Sequence, residues 1–389
     1  MIRTTCKTGL APTALIGGLL IAFPAAAGPT PTCVDGAGAN STECGTNSGT
    51  GTSAGATALG NGAQATGVNS VATGLAAVAS NLSSSSYGFQ ANASGIASSA
   101  LGHNTAASGL ASTAVGVSAR AQNVGATSVG RLSTAAGASA SALGASANAA
   151  GDGSVAIGLN SQATGQTSTA VGQEAAASAL SASAYGFQAN ASGIASTALG
   201  HNTVANNIGT TAVGVAARAG NVGATAVGRL SSATAANSVA LGAGSVADQA
   251  NTVSVGAAGA ERRVTNVAAG TGATDAVNLG QLNALSSSMS TSVGSLQASI
   301  DAMLGLRNQD RRETFEGIAS AIAIANAPMP SAPGKVSYAM NGARFRGEYA
   351  VGGSLMFRLP ASATIALGAA FSYAGNGSSA VRVGAAGEF

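Results

Sequence analysis

Along the first two thirds of the chain, apolar and small residues alternate in short segments that end on glycine at a fixed interval. Glycines stand at 60, 74, 88, 102, 116, 130, 144, 158, 172, 186, 200, 214, 228, 242 and 256, each fourteen residues after the last. The residue before the glycine is apolar throughout, as in Leu59, Tyr87, Val129, Ile157, Leu199 and Leu241, with Thr73 the one departure. The residue two before is always Ala or Ser. Seven residues after most of these glycines comes a second Gly, or an Asn at 81, 123, 207 and 221. Gly and Asn accept left-handed backbone at least cost, so two tight turns per unit are predicted. Segments such as Ser154-Val155-Ala156-Ile157 have the period-two pattern of strands.

One such coil cannot bury a face, but stacked coils hydrogen-bond along a column. The repeat therefore predicts a parallel β-roll or β-helix over residues 53–256. At about 4.8 Å per coil the column is on the order of 65–70 Å long. The apolar alternates Val155 and Ile157 are read as the interior, and the Ala/Ser positions as an outward face for packing against another column. A longer repeat overlies the short one: Tyr87-Gly88-Phe89-Gln90-Ala91-Asn92 recurs as Tyr185-Gly186-Phe187-Gln188-Ala189-Asn190, seven coils on.

The period ends after Gly256. From Leu282 the apolar residues fall at Leu282, Leu285, Met289, Val293, Leu296, Ile300 and Leu304. Steps of 3, 4 and 4 make an eleven-residue repeat, which predicts a straight or slightly right-handed coiled coil over 282–312. Phe315–Ala327 reads as a second, small-residue helix ended by Pro328 and Pro330. Four alternating segments follow at Lys335–Phe345, Glu348–Arg358, Thr364–Tyr373 and Ser379–Phe389, with apolar residues on one face and mostly Ala, Gly, Ser and Asn on the other. That is the length and pattern of outer-membrane strands. Four strands cannot close a barrel, so either two chains supply eight or three supply twelve.

At the other end, Arg3 and Lys7 precede an apolar run from Leu10 to Phe23 and an Ala25-Ala26-Ala27 cleavage site, so residues 1–27 read as a secretory signal peptide. Residues 28–52 then carry Cys33 and Cys44. In an exported protein this pair is read as a disulfide rather than a zinc site, since no His or further Cys lies nearby.

Composition narrows the function classes. The chain has 389 residues with 7% charged and 3% aromatic side chains, and 46% hydrophobic residues that are mostly Ala. A conventional packed core is not expected from such small side chains. A net charge of +3 spread over this length gives no basic footprint for nucleic acid. Gly51-Thr52-Ser53-Ala54-Gly55 matches a nucleophile elbow only by composition, for it lacks the strand and helix the motif requires. The two histidines, His103 and His201, are copies of one position without carboxylate or Cys partners. No catalysis, metal or cofactor is expected. The charged residues that stand out in the repeats are Arg120 and Arg131 with their copies Arg218 and Arg229; they read first as solvated surface arginines, and in a trimer as basic rings for acidic or sulfated ligands.

One segment gives a specific resemblance. Glu261-Arg262-Arg263-Val264-Thr265-Asn266-Val267 leading to Asp275-Ala276-Val277-Asn278-Leu279-Gly280-Gln281-Leu282 resembles the neck of YadA-type trimeric autotransporter adhesins, and the fourteen-residue units resemble their head. The resemblance implies a left-handed parallel β-roll head, a neck at 257–281, a short trimeric coiled-coil stalk and an anchor at 313–389. In that anchor three chains form a twelve-stranded barrel in the outer membrane. It implies a homotrimer inserted with the barrel-assembly machinery, Phe389 serving as the insertion signal. The neck residues it marks are Arg262, Arg263, Asn266, Asp275, Asn278 and Gln281. A head displayed on the cell surface would attach to extracellular-matrix protein, host cells or other surfaces; self-association into biofilm, or surface shielding, is the alternative. The family's collagen-associated string appears here only as variants. They carry Asn69, Ser70 and Val71, then Ser154, Val155 and Ile157, then Asn237, Ser238 and Val239, which are the candidate ligand contacts.

Overall fold

The computed structural model describes residues 33–360 and 364–388, so the expected signal peptide and Phe389 lie outside the described residues. The chain divides into two units, with the boundary between Arg263 and Val264.

The first unit is a β-solenoid. Each coil contributes a three-residue strand ending just before the repeat glycine and a two-residue strand four residues after it, as in Val155–Ile157 and Gln162–Ala163. The three-residue strands stack into a seventeen-stranded sheet, parallel except for its first strand and closed by the two-residue Val253–Ser254, and the other two-residue strands stack in parallel into a fourteen-stranded one. Register is kept at fourteen residues, so Ala142, Ala156 and Ala170 lie directly above one another. Turns are hydrogen-bonded from coil to coil as well: Gly158 N–H donates to the Leu143 carbonyl at 2.8 Å, and Gly153 N–H to the Ala138 carbonyl at 2.8 Å. Cys33 and Cys44 are disulfide-bonded across an antiparallel strand pair at the start.

The alternation has the opposite sense to the one read from hydrophobicity. Ala156 is fully buried, whereas Ile157 is 40% exposed and Val155 half-buried. The same holds along the column. The interior is a continuous file of Ala, with Ser and Thr at the remaining inward positions. At the middle of strands this short, joined by turns this tight, the gap is filled by a methyl or hydroxymethyl group and has no room for Leu or Ile; the fully buried Thr105, Thr203 and Thr210 stand just outside the strands. Backbone hydrogen bonds between coils, more than apolar burial, therefore hold the solenoid, since each Ala removes little area from water.

The turns also differ from expectation. At the first turn the repeat glycine has φ values that L side chains rarely adopt; Gly144 has φ 138°, and an added Cβ would lie 2.5 Å from the Gly158 carbonyl oxygen. At the second turn the Gly/Asn position is not left-handed. The left-handed residue comes two positions later and is often neither Gly nor Asn, as at Ala97, Ala111 and Thr167. A regular ladder of interturn hydrogen bonds holds these residues there: Ala97 N–H donates to the Leu82 carbonyl and Thr167 N–H to the Asp152 carbonyl, each at 2.8 Å.

In the second unit, one helix runs unbroken from Leu279 to Ala323. The two helices expected at 282–312 and 315–327 are thus a single element, because nothing between Leu304 and Phe315 breaks a helix. Asn278 caps it: its Oδ1 accepts the Gln281 N–H at 3.0 Å, and Gln281 Oε1 accepts the Asn278 N–H at 3.3 Å. The apolar stripe from Leu282 to Leu304 is 43–66% exposed in the single chain.

The four terminal strands, Val336–Phe345, Glu348–Arg358, Ile365–Ala374 and Ser379–Gly387, form an antiparallel meander. Tyr338, Met340, Val351, Leu355, Phe371 and Val383 are exposed on one face, as the alternation predicts. The other face receives the end of the helix. Glu316, Ala319, Ser320 and Ala323 are buried there, Ser320 Oγ lies 2.8 Å from Ser372 Oγ, and Ser378 Oγ donates to Glu316 at 3.1 Å. Phe315 meets Phe345 edge to face at 5.7 Å. Among the described residues no helix is long and apolar enough to cross a membrane.

Candidate functional site

With the interior filled by Ala, Ser and Thr, the large apolar side chains of the solenoid are on its outside, sorted into rows by position within the coil. Three apolar rows bracket the three-residue strands. They lie just before the repeat glycine (Leu101, Leu143, Ile157), one residue after it (Leu75, Phe89, Leu159) and eight after it (Leu82, Ile96, Ile208), all exposed in the single chain. Exposed apolar surface of this extent marks an interface.

The face of the two-residue strands is polar. Its outward row runs Arg120, Thr134, Asn148, Gln162, Ala176, Asn190, Val204, Arg218, each directly paired with the next. Beside it lie Ser146, Asn160, Glu174 and Gln188; Gln188 Nε2 donates to the Glu174 carboxylate at 2.8 Å. Ser146, Asn148, Asn160, Gln162 and Glu174 together line a shallow polar groove. This amide-rich row escaped the sequence reading. Its signal was present in the fourth position after each glycine, where apolar residues are few.

The predicted ligand contacts separate. Ser70, Ser154 and Ser238 are fully buried and cannot touch a ligand; the inward phase of the alternation carries them into the solenoid. Ser238 Oγ donates to the Ala235 carbonyl at 2.7 Å. Val71, Val155 and Val239 are half-buried and Ile157 exposed, all on the apolar side. Asn69 and Asn237 are exposed left-handed turn residues, with φ 57° and 52°. Arg120, Arg131, Arg218 and Arg229 are all exposed. His103 and His201 are exposed and stack on Phe89 and Phe187 with ring centroids 5.1 and 5.2 Å apart. No metal-binding cluster occurs among the described residues.

The neck residues do two separate jobs. Arg262 folds back onto the last coil of the solenoid, donating to Ser245 Oγ at 2.8 Å, the Val255 carbonyl at 2.6 Å and the Ala243 carbonyl. It thereby satisfies carbonyl oxygens at the solenoid end, where no further coil follows. Within the second unit, residues 267–281 form a hydrogen-bonded knot ahead of the helix. Gln281 bonds both backbone groups of Gly270, at 2.9 and 3.0 Å, and Asn278 Nδ2 donates to the Val267 carbonyl at 3.1 Å. Arg263 is exposed, and Asn266 is exposed with φ 60°.

Asp275 closes the knot by accepting the N–H groups of Gly272 at 2.8 Å and Thr271 at 2.9 Å. Those two donors hold its carboxyl below the ordinary carboxylate value. A folded value below the unfolded one contributes stability above about pH 4 that is lost as pH falls through the folded value. Cleavage of residues 270–276 by an acid-tolerant protease is expected to rise as pH drops below about 4, and Asp275→Ala to give the same cleavage at neutral pH.

The family model described as the YadA head domain repeat matches residues 52–77, 107–133, 135–161, 163–189, 191–217, 219–245 and 233–258. The model for the coiled stalk of trimeric autotransporter adhesin matches residues 263–303. Among solved structures, the collagen-binding domain of the Yersinia adhesin YadA is similar, at 28% identity over 50% of this chain and 87% of that one, with a TM-score of 0.27. No curated protein matches the chain significantly.

Proposed function

The chain belongs to the family of YadA-type trimeric autotransporter adhesins, and from that premise we propose that it works as a homotrimer whose anchor exports and then displays its own head. It is an outer-membrane-anchored, surface-exposed adhesin. The observation that carries the trimer and the export route is the four-stranded meander. Its first and last strands each have one free edge, and its apolar face has the outer-membrane pattern. Open edges are not tolerated in lipid, and three copies give the twelve strands that close a barrel. The exposed helix stripe and the apolar rows of the solenoid support the same association. A cyclic trimer requires two different surfaces per chain, one for each neighbour, and apolar rows on both turns supply them.

The ligand reading is attachment to extracellular-matrix protein or host cells. Many similar coils in three copies raise weak contacts to useful avidity. Cells displaying the full chain are expected to carry a species of three times the chain mass that resists denaturant on electrophoresis. They are also expected to adhere to at least one component of a matrix panel that includes collagen. A monomeric band would remove the trimer, and adhesion no greater than that of cells without the protein would remove the adhesin mechanism.

A further inference from the structure

Resting on the adhesin reading, we infer that the polar face of the solenoid binds an extended sulfated polysaccharide along its length, with Arg120 and Arg218 as the two anchoring cations. Both arginines occupy the same outward row of one continuous sheet, seven coils apart, or about 34 Å at 4.8 Å per coil. Thr134, Asn148, Gln162 and Asn190 fill most of the row between them, so it is lined by neutral hydrogen-bonding groups. Arg131 and Arg229 stand one coil further on, exposed on the bordering turn at the position after the repeat glycine.

None of the four has an anionic partner. The one ion pair among the described residues is Arg312 with Glu348, in the other unit. The two carboxylates in the coils between Arg120 and Arg218 are otherwise engaged. Asp152 lies on the far turn and accepts the Ala138 N–H at 2.8 Å, and Glu174 is bonded by Gln188 and Gln173. The face therefore presents two positive ends joined by an amide-lined track, with one exposed carboxylate, Glu174, on its border. A planar guanidinium matches the oxygens of an oxyanion in bidentate fashion and is weakly hydrated, which favours sulfate. Amides and hydroxyls suit the hydroxyl groups of sugar rings. A compact anion would reach one anchor only; a polymer charged at intervals reaches both and gains from their linkage. The row itself holds only Ala176 and Val204 as apolar residues between the two arginines, while the apolar rows run along the three-residue strands and the turns that border it.

The test uses cells displaying the full-length chain, with fluorescent dextran sulfate, unsulfated dextran and hyaluronan as probes. Dextran sulfate is expected to be captured and dextran not, with capture falling as salt screens the guanidinia. Arg120→Gln with Arg218→Gln is expected to cut capture by about tenfold or more, the loss of a charge-assisted contact. The corresponding lysine pair is expected to retain an intermediate share. Equal amounts of denaturant-resistant trimer on the cell surface would show that the variants assemble. Undiminished capture by the double glutamine variant would overturn the inference. Equal capture of dextran would do so too, and equal capture of hyaluronan would overturn the choice of sulfate over carboxylate. Adhesion of the same cells to matrix protein reports separately on the adhesin reading: loss of capture with adhesion kept supports the polysaccharide site as distinct.

Discussion

Ala156→Leu is expected to disable the solenoid, while Ile157→Ala is expected to leave each coil intact. Ala156 is fully buried between Ala142 and Ala170, which stand directly above and below it. Overpacking a filled interior costs about 1–3 kcal/mol where neighbours can shift. Here the neighbours belong to hydrogen-bonded coils that repeat on both sides, so the cost should reach the top of that range. The two sheets would separate locally, and the interturn bonds of the adjacent coils would open with them. Protease treatment of displayed protein should then cut the Ala156→Leu head near residues 140–170 and spare the wild type. Ile157 faces outward, and its truncation should weaken association between chains without exposing the coil to cleavage. If Val155 and Ile157 were the interior, the two variants would behave the other way round, so the pair of measurements decides the sense of the alternation.

The second large effect is expected at Gly352→Leu. Gly352 is on the helix-facing side of the second terminal strand, where an added Cβ would fall onto the Ala323 carbonyl oxygen and lie 2.9 Å from its carbonyl carbon. A backbone carbonyl near a helix end cannot swing aside as a flexible side chain can. The helix would be pushed off the sheet, breaking the contacts of Ser320 with Ser372 and of Glu316 with Ser378. The denaturant-resistant trimer should be lost and little head should reach the surface. Gly353→Leu, one residue on, is the control. It lies on the exposed face with nothing near an added Cβ, and should be tolerated.

These two predictions mark where sequence reasoning was strong and where it stopped. The fourteen-residue period, the four membrane strands and the helical stripe were all legible, because each is a periodicity and backbone geometry imposes periods directly. Neck residues Asp275, Asn278 and Gln281 were legible as a group from a resemblance, and their hydrogen-bonded knot gives that grouping a physical cause. Arg262 was grouped with them but serves the last coil of the solenoid, a partner seventeen to nineteen residues back that no local pattern points to. The candidate contacts Ser70, Ser154 and Ser238 were read from a string of the family, and the structure buries all three because a string does not say which of its side chains point inward.

Alternation determines that Val155 and Ile157 share a face and that Ala156 lies on the other. It does not say which face is the inside. Hydrophobicity answers that question in a protein whose interior has room for large apolar side chains. In this solenoid the tight turns bring the two sheets so close that steric exclusion outweighs the hydrophobic preference, and the larger apolar residues go outside. By itself the sequence determined the period, the strands, the helical stripe and the family. Only the tertiary structure decided that the core is made of alanine and that the larger apolar residues lie on the surface, because the width between two strands is a property of their packing and not of either strand.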